Sequence, residues 1–145
     1  MTLISILKSA TVATLLVTAA APVAADNNRI AINQRGDLLA IGGAQSGTWN
    51  RLTITQRGWG NTTISSQDGR RNMTVATQRG RNNDVVTSQS GRCNILGVAQ
   101  SGRRNSADVD QSGTCNALAV IQAGRGNTSR TVQRGSGNVA VIVQD

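Results

Sequence analysis

Residues 89–111 read QSGRCNILGVAQSGRRNSADVDQ, which is two copies of one 11-residue unit followed by the glutamine of a third. All eleven glutamines of the chain fall on this period, from Gln34 to Gln144. A Gly stands two residues after each of the first ten glutamines, and an Asn stands five residues after nine of them. A fixed period of this kind indicates an array of small units that bury their surfaces against one another.

Three residue types therefore define the repeat, and Leu39 is the one replacement of an Asn. We expect amide ladders at Gln45, Asn50, Gln56, Asn61, Gln67, Asn72, Gln78, Asn83, Gln89, Asn94, Gln100, Asn105, Gln111, Asn116, Gln122, Asn127, Gln133, Asn138 and Gln144. We expect turn glycines at Gly36, Gly47, Gly58, Gly69, Gly80, Gly91, Gly102, Gly113, Gly124 and Gly135.

The seven residues from each Asn to the next Gln are the strand candidates. Charged residues such as Arg51, Asp84 and Asp108 occupy alternate positions, whereas the second and fourth residues after each Asn carry no charge. This alternation is typical of a strand with one buried face. The stretch from Gln to Asn is rich in Gly, Ser and Arg, which predicts a tight turn.

An 11-residue period is also the period of a right-handed helical supercoil. Helices of that kind need residues such as Ala, Leu, Glu and Lys, whereas these units carry regular glycines and much Thr, Ser, Val and Asn. That composition disfavours helix and favours strand.

The buried positions alternate in size from one unit to the next. Leu52 and Ile54 are large, whereas Thr63 and Ser65 in the following unit are small. If successive strands face each other across a flat coil, a small layer meets a large one and fills a thin core. The predicted fold is therefore all-β, a flat two-sheet β-solenoid with two strands per 22-residue coil and five coils over residues 39–145. Parallel stacking at about 4.8 Å would let each buried amide donate to the next coil and accept from the previous one.

The repeat Gln-x-Gly-x-x-Asn, followed by an inner small residue and a second Gln, resembles the curlin repeat. Gln45, Gly47 and Asn50 form a typical set, and the resemblance covers residues 28–144. It implies a subunit of curli, the extracellular amyloid fibres of bacterial biofilm and adhesion, which polymerises end to end. It also implies Sec export, a dedicated outer-membrane secretion apparatus and a partner curlin subunit. The departures are Leu39 and a strongly basic balance, and the latter favours a minor, nucleating subunit over a major one.

Residues 1–25 read as an export signal. Lys8 closes a short basic start, residues 9–17 are mostly apolar, and Val23-Ala24-Ala25 offers small residues for cleavage before Asp26. The alternative is a membrane anchor, but the apolar stretch is shorter than a bilayer requires and no second candidate follows it. Residues 26–38 would then form an N-terminal segment with one extra strand candidate at 28–34.

Composition argues against an enzyme. After the predicted cleavage the chain holds no His, Glu, Lys or Tyr, the residues on which acid–base and nucleophilic catalysis mostly draw. We therefore expect no catalytic residues, no cofactor and no metal site. The competing functions are a non-polymerising adhesin that binds anionic polysaccharide or DNA, and an ice-binding solenoid, although the outward threonines do not form a regular row.

Arginines recur in the turns and should stack on one edge in 22-residue register. The two predicted columns are Arg35, Arg57 and Arg79, and Arg81, Arg103 and Arg125. Like charges at this spacing repel, so the columns would slow assembly unless an anion screens them. They either maintain solubility or form a basic edge for lipopolysaccharide, acidic polysaccharide or extracellular DNA.

Cys93 and Cys115 occupy matching positions two repeat units apart, hence on neighbouring coils. An exported chain meets an oxidising compartment, so they form either a disulfide or two free thiols. The apolar final strand at 139–144 predicts an interface for head-to-tail addition of a second copy. The extra strand at 28–34 makes eleven strands, and this odd number interrupts the alternation of faces at a subunit junction. That strand would therefore either be displaced in the fibre or have a separate docking role.

Overall fold

The computed structural model describes residues 27–145, and the predicted signal peptide lies outside the described residues. The strands are β1 (Arg29–Asp37), β2 (Ala40–Thr48), β3 (Arg51–Trp59), β4 (Thr62–Arg70), β5 (Met73–Arg81), β6 (Asp84–Arg92), β7 (Ile95–Arg103), β8 (Ser106–Thr114), β9 (Ala117–Arg125), β10 (Thr128–Ser136) and β11 (Val139–Gln144).

Odd-numbered and even-numbered strands form two separate parallel sheets. The six-stranded sheet has the order β1-β3-β5-β7-β9-β11, and the five-stranded sheet has the order β2-β4-β6-β8-β10. Each strand pairs in register with the next strand but one along the chain, so that Gln56 lies over Gln78 and Gln67 over Gln89. The prediction of an all-β solenoid with two strands per 22-residue coil is confirmed. All of the extra strand candidate at 28–34 except Asn28 lies in β1, which pairs with β3.

The predicted boundary between strand and turn was wrong. Strands β1 to β10 are nine residues long and continue through the Gln and the Gly, so only two residues connect successive strands. The recurring glycines therefore lie near the ends of strands, with φ between 86° and 132°. At Gly102 a Cβ would overlap the carbonyl oxygen of Gly124 in the next coil, which explains why this column holds glycine alone.

The sharp change of direction falls four residues after each Gln. Residues there adopt left-handed φ angles between 53° and 76°, whether or not they are glycine. Non-glycine side chains in this conformation cost free energy, so the stacked coils on either side must hold the turn. Trp49 and Cys93 both occupy this position.

The core is a single thin layer between the two sheets. Leu52, Ile54 and Leu96 from the six-stranded sheet are at most 1% exposed, and they face smaller residues such as Thr63 and Ala107. This is the predicted alternation of large and small layers. Few aliphatic side chains are buried, so hydrogen bonds between polar side chains complete the interior.

Candidate assembly site

Glutamines form an unbroken hydrogen-bonded column inside each sheet. Wherever a further coil follows, Nε2 of a Gln donates to Oε1 of the Gln in that coil, over distances of 2.6 to 3.1 Å. One column runs from Gln34 to Gln144 in the six-stranded sheet, and the other from Gln45 to Gln133 in the five-stranded sheet. Each buried amide therefore depends on the coil above it and the coil below it.

The second Nε2 proton of a Gln joins the two sheets. Gln100 donates to the carbonyl of Asp84 on the facing strand at 2.9 Å, and most other glutamines make the equivalent bond. Two threonines add cross-core bonds that the sequence analysis missed: the hydroxyl of Thr63 accepts from Gln56 and donates to Gln78, and Thr74 does the same between Gln67 and Gln89. The small size of Thr63 entered the prediction of the core, whereas the hydroxyl groups of Thr63 and Thr74 would have indicated these bonds.

The asparagines do not form the simple amide columns that we expected. Oδ1 of Asn72 accepts from the backbone N–H of Asn94 in the next coil at 3.1 Å. Nδ2 of Asn94 donates to the carbonyls of Ser90 in its own turn and Gly113 in the next coil. Within residues 27–145, direct Asn-to-Asn side-chain bonds occur only between Asn83 and Asn61 and between Asn116 and Asn94. The short side chain of Asn lies beside the turn and reaches backbone groups there more easily than the Asn side chain of the next coil. The asparagines therefore link the turns of neighbouring coils.

Both ends of the solenoid carry open strand edges. At the start, inner residues Ile30 and Ile32 of β1 are 47% and 43% exposed. At the other end, Val139, Val141 and Val143 of β11 are the most exposed large apolar residues among those described. Such edges present free N–H and C=O groups to any strand that can pair with them.

An unsatisfied acceptor marks the first coil. Oε1 of Gln45 is buried and has no hydrogen-bond partner within residues 27–145. Every later Gln of that column accepts a bond from the Gln of the preceding coil. A buried carbonyl without a donor is costly, so this atom indicates a missing rung below β2.

The arginine columns lie where the sequence placed them. Arg35, Arg57 and Arg79 are in register on β1, β3 and β5. Arg81, Arg103 and Arg125 are in register on β5, β7 and β9, at a position two residues further along the strand. The second column lines an open groove of about 760 Å³ on the edge where odd strands turn into even strands. Its other lining residues include Asp37, Trp59, Asn82 and Arg104. The groove is strongly basic and has one exposed aromatic ring.

A disulfide joins Cys93 and Cys115 across neighbouring coils, with their Cα atoms 4.4 Å apart. Both cysteines occupy the left-handed turn position, on the edge opposite the basic groove. Neither is free. The bond clamps the turn after β6 to the turn after β8.

The outer face of the five-stranded sheet carries several carboxylates, including Asp84, Asp108 and Asp110. Asp108 pairs with Arg130 and Asp110 pairs with Arg134, both at 3.6 Å and largely exposed. Burial raises the pKa of Asp84, and the neighbouring charge of Asp108 raises this pKa further. No metal-binding cluster occurs within residues 27–145.

The described part of the chain contains no helix long and apolar enough to cross a membrane. No known protein family, curated protein or solved structure matches the chain.

Proposed function

We propose that this chain is a secreted structural subunit of a curli-type extracellular amyloid fibre, which polymerises end to end in biofilm formation and surface adhesion. The observation that carries the proposal is the pair of glutamine columns that run the length of the described solenoid and stop at uncapped edges. Columns of this kind repeat one unit of hydrogen bonding, so a further copy can extend them without a new type of contact.

The open ends support growth instead of closure. Soluble solenoids normally protect their terminal coils with polar or irregular caps. Here β11 is apolar on its outward positions and β1 exposes two isoleucines on its inward positions. When one end of a copy binds the opposite end of the next copy, the contact is heterologous, and such contacts build filaments when they do not close into rings.

The first experiment follows the purified chain, without residues 1–25, from soluble protein to fibres. We expect a thioflavin signal and a fibre reflection at about 4.8 Å, the spacing of paired strands. A chain that remains monomeric and melts reversibly and cooperatively would support the alternative, a non-polymerising solenoid adhesin.

A backbone substitution at the open edge tests the mode of growth. Ala117 N–H donates to Asn138 of the next coil, so the matching N–H of Val139, and that of Val141 two residues later, point away from β9. Val141→Pro removes an outward N–H and keeps the bonds to β9, so we expect a folded chain that elongates poorly. Val141→Thr keeps the N–H and is the matched control. Equal elongation by both variants would argue against growth through β11.

The nucleating role is part of the proposal and rests on the basic balance of the chain. Trace amounts of preformed fibres should abolish the lag phase of a partner curlin. Without such seeding, the role of a major subunit or an accessory adhesin becomes the better interpretation.

The basic groove favours a second function, the binding of an anionic surface polymer to the fibre. Arg81, Arg103 and Arg125 present a row of charges parallel to the stacking direction. Binding to an anionic polysaccharide should weaken with salt and should fall on substitution Arg103→Gln. Arg70→Gln, on the opposite edge, is the control variant and should bind like the parent chain.

A further inference from the structure

We propose that successive subunits of the fibre are related by a half-turn about the fibre axis, so that the six-stranded sheet of one subunit continues as the five-stranded sheet of the next. This inference rests on the proposed function, since it describes how one copy docks on another. It addresses the odd number of strands within residues 27–145.

The two sheets differ by one strand, and the first and last strands of the described solenoid both belong to the six-stranded sheet. β1 lies at one end of the six-stranded sheet and β11 at the other end. Each therefore projects past the five-stranded sheet and leaves its inner face partly uncovered. The exposure of Ile30 and Ile32 on β1, and the partial burial of Ala140 and Ile142 on β11, are the result.

Two copies can meet at these projecting strands in two ways. If the second copy is only translated, its β1 pairs with β11, and the five-stranded sheets are separated by a gap one strand high. If the second copy is also rotated by a half-turn, its β1 pairs with β10 and its β2 pairs with β11. The projecting strands then face each other across the core, and neither sheet is interrupted.

The hydrogen-bond columns favour the half-turn. Oε1 of Gln45 is the buried acceptor without a donor, whereas Nε2 of Gln144 donates only to the carbonyl of Thr128 within the described residues. Rotation places Gln45 of the incoming subunit directly over Gln144, with the same polarity as every other rung. Gln133 would likewise donate to Gln34 of the incoming subunit. Simple translation leaves Gln45 without this donor.

Packing at the junction is complementary in size. In the rotated register the inner residue Ile142 lies beneath Gly43 of the incoming β2, which is exposed in the isolated chain. The isoleucines of the incoming β1 cover Ala140 and Ile142 from the facing sheet. A position without a side chain therefore meets the largest inner residue of β11, which limits overpacking.

Charge alone would favour translation, which brings Arg35 over Asp145. An exposed ion pair contributes little stability. The half-turn instead places Arg35 over Arg134, and the chain already tolerates such stacking where Arg35, Arg57 and Arg79 lie in register. The uninterrupted core and the satisfied amide outweigh the exposed charges.

Cysteine pairs distinguish the two arrangements. Asn33, Val132 and Val143 are exposed and occupy equivalent outward positions on β1, β10 and β11. In the half-turn arrangement Asn33→Cys of one subunit lies beside Val132→Cys of the next, whereas in translation it lies beside Val143→Cys. Strands about 4.8 Å apart bring either matched pair within disulfide range. Mixed fibres of the single variants would be oxidised, and the cross-linked peptides identified by mass spectrometry with the native disulfide left intact.

The half-turn predicts cross-links between Asn33→Cys and Val132→Cys, and background levels for Asn33→Cys with Val143→Cys and for Asn33→Cys alone. It also predicts that fibre images show a subunit rise of about 26 Å and a full repeat of about 53 Å, from the eleven strands of residues 27–145, two to each coil, at the ordinary strand spacing. Fibres that cross-link only through Val143→Cys, or through neither pair, would refute the half-turn and leave the proposed function intact. Failure to form fibres at all would refute both.

Discussion

The disulfide between Cys93 and Cys115 provides a quantitative test of the coil architecture. Replacing both cysteines with serine removes a cross-link that closes a 22-residue segment and leaves the stacked hydrogen bonds in place. Serine is close to cysteine in size and keeps the same left-handed turn conformation at φ 62° and 53°. The expected change is therefore mainly the loss of a constraint on the unfolded chain.

Chain entropy sets the magnitude. A closed loop of this length restricts the unfolded chain by about 3 kcal/mol at room temperature, and the dependence on loop length is only logarithmic. The folded state loses little, because the register of β6, β7, β8 and β9 is also fixed by backbone pairing and by the columns through Gln89 and Gln100. We expect the free energy of unfolding to fall by about 3 kcal/mol, a large share of the stability of a typical domain.

The assay is equilibrium urea unfolding, followed by circular dichroism, in the Val141→Pro background that restricts polymerisation. Reductant should destabilise the parent chain by the same amount and should leave the double serine variant unchanged. An equal response of both chains to reductant would show that the bond is absent in solution. A loss well below about 1 kcal/mol would mean that the unfolded chain already holds these coils together, and the entropic reasoning would be wrong.

Three other changes test the interior, each by urea unfolding of the same soluble background. Gly102→Ala should lower the free energy of unfolding by at least about 2 kcal/mol, because the new Cβ would overlap the backbone of Gly124. Gly97→Ala is the control, since a Cβ there meets open space and should be neutral or slightly stabilising. Equal effects of the two substitutions would contradict the argument from stacked glycines. Gln100→Leu should lower the free energy of unfolding by about 3 kcal/mol, since it deprives Gln78, Gln122 and the carbonyl of Asp84 of their partners. Gln34→Leu removes only the donor to Gln56 and should cost about 1 kcal/mol, so equal losses at the two positions would contradict the column. The raised pKa of Asp84 means that the folded chain holds the carboxyl proton more tightly than the unfolded chain does, so the contribution of Asp84 to stability is favourable below pH 3.8 and is lost as pH rises through the raised pKa. Asp84→Asn should therefore stabilise the chain more at neutral pH than below pH 3.8. A stabilisation that does not depend on pH would contradict this assignment.

The coil length, the two sheets and the inward face could be predicted from the sequence because each rests on periodicity. Alternation identified which residues point inward, and the size pattern of residues such as Leu52 and Thr63 indicated two strands per coil. Turn geometry could not be predicted in the same way. A glycine in every unit suggested a turn, but Gly102 serves the close approach of stacked backbones, a contact between residues two repeat units apart that no local pattern records.

The amides illustrate the same limit. Both Gln and Asn recur with the same period, yet only Gln forms side-chain columns. The difference is reach: Gln extends from the middle of a strand into the core, where the nearest polar group is another Gln, whereas Asn94 sits beside the turn among carbonyls that need donors. Spacing identified the positions, and side-chain length decided what each position binds.

The same reasoning explains why an odd number of strands is compatible with a continuous fibre. One sequence unit forms one strand and two units form one coil, so each sheet contains the same Gln, Gly and Asn columns. Backbone pairing and these columns therefore do not distinguish the sheets, whereas the size of the inner side chains does. A chain with an even number of strands would continue by translation, with large layers stacked on large ones. In the proposed half-turn arrangement, the eleven strands of residues 27–145 make the large and small layers exchange sheets at each junction, and Gly43, which has no side chain, would lie over Ile142.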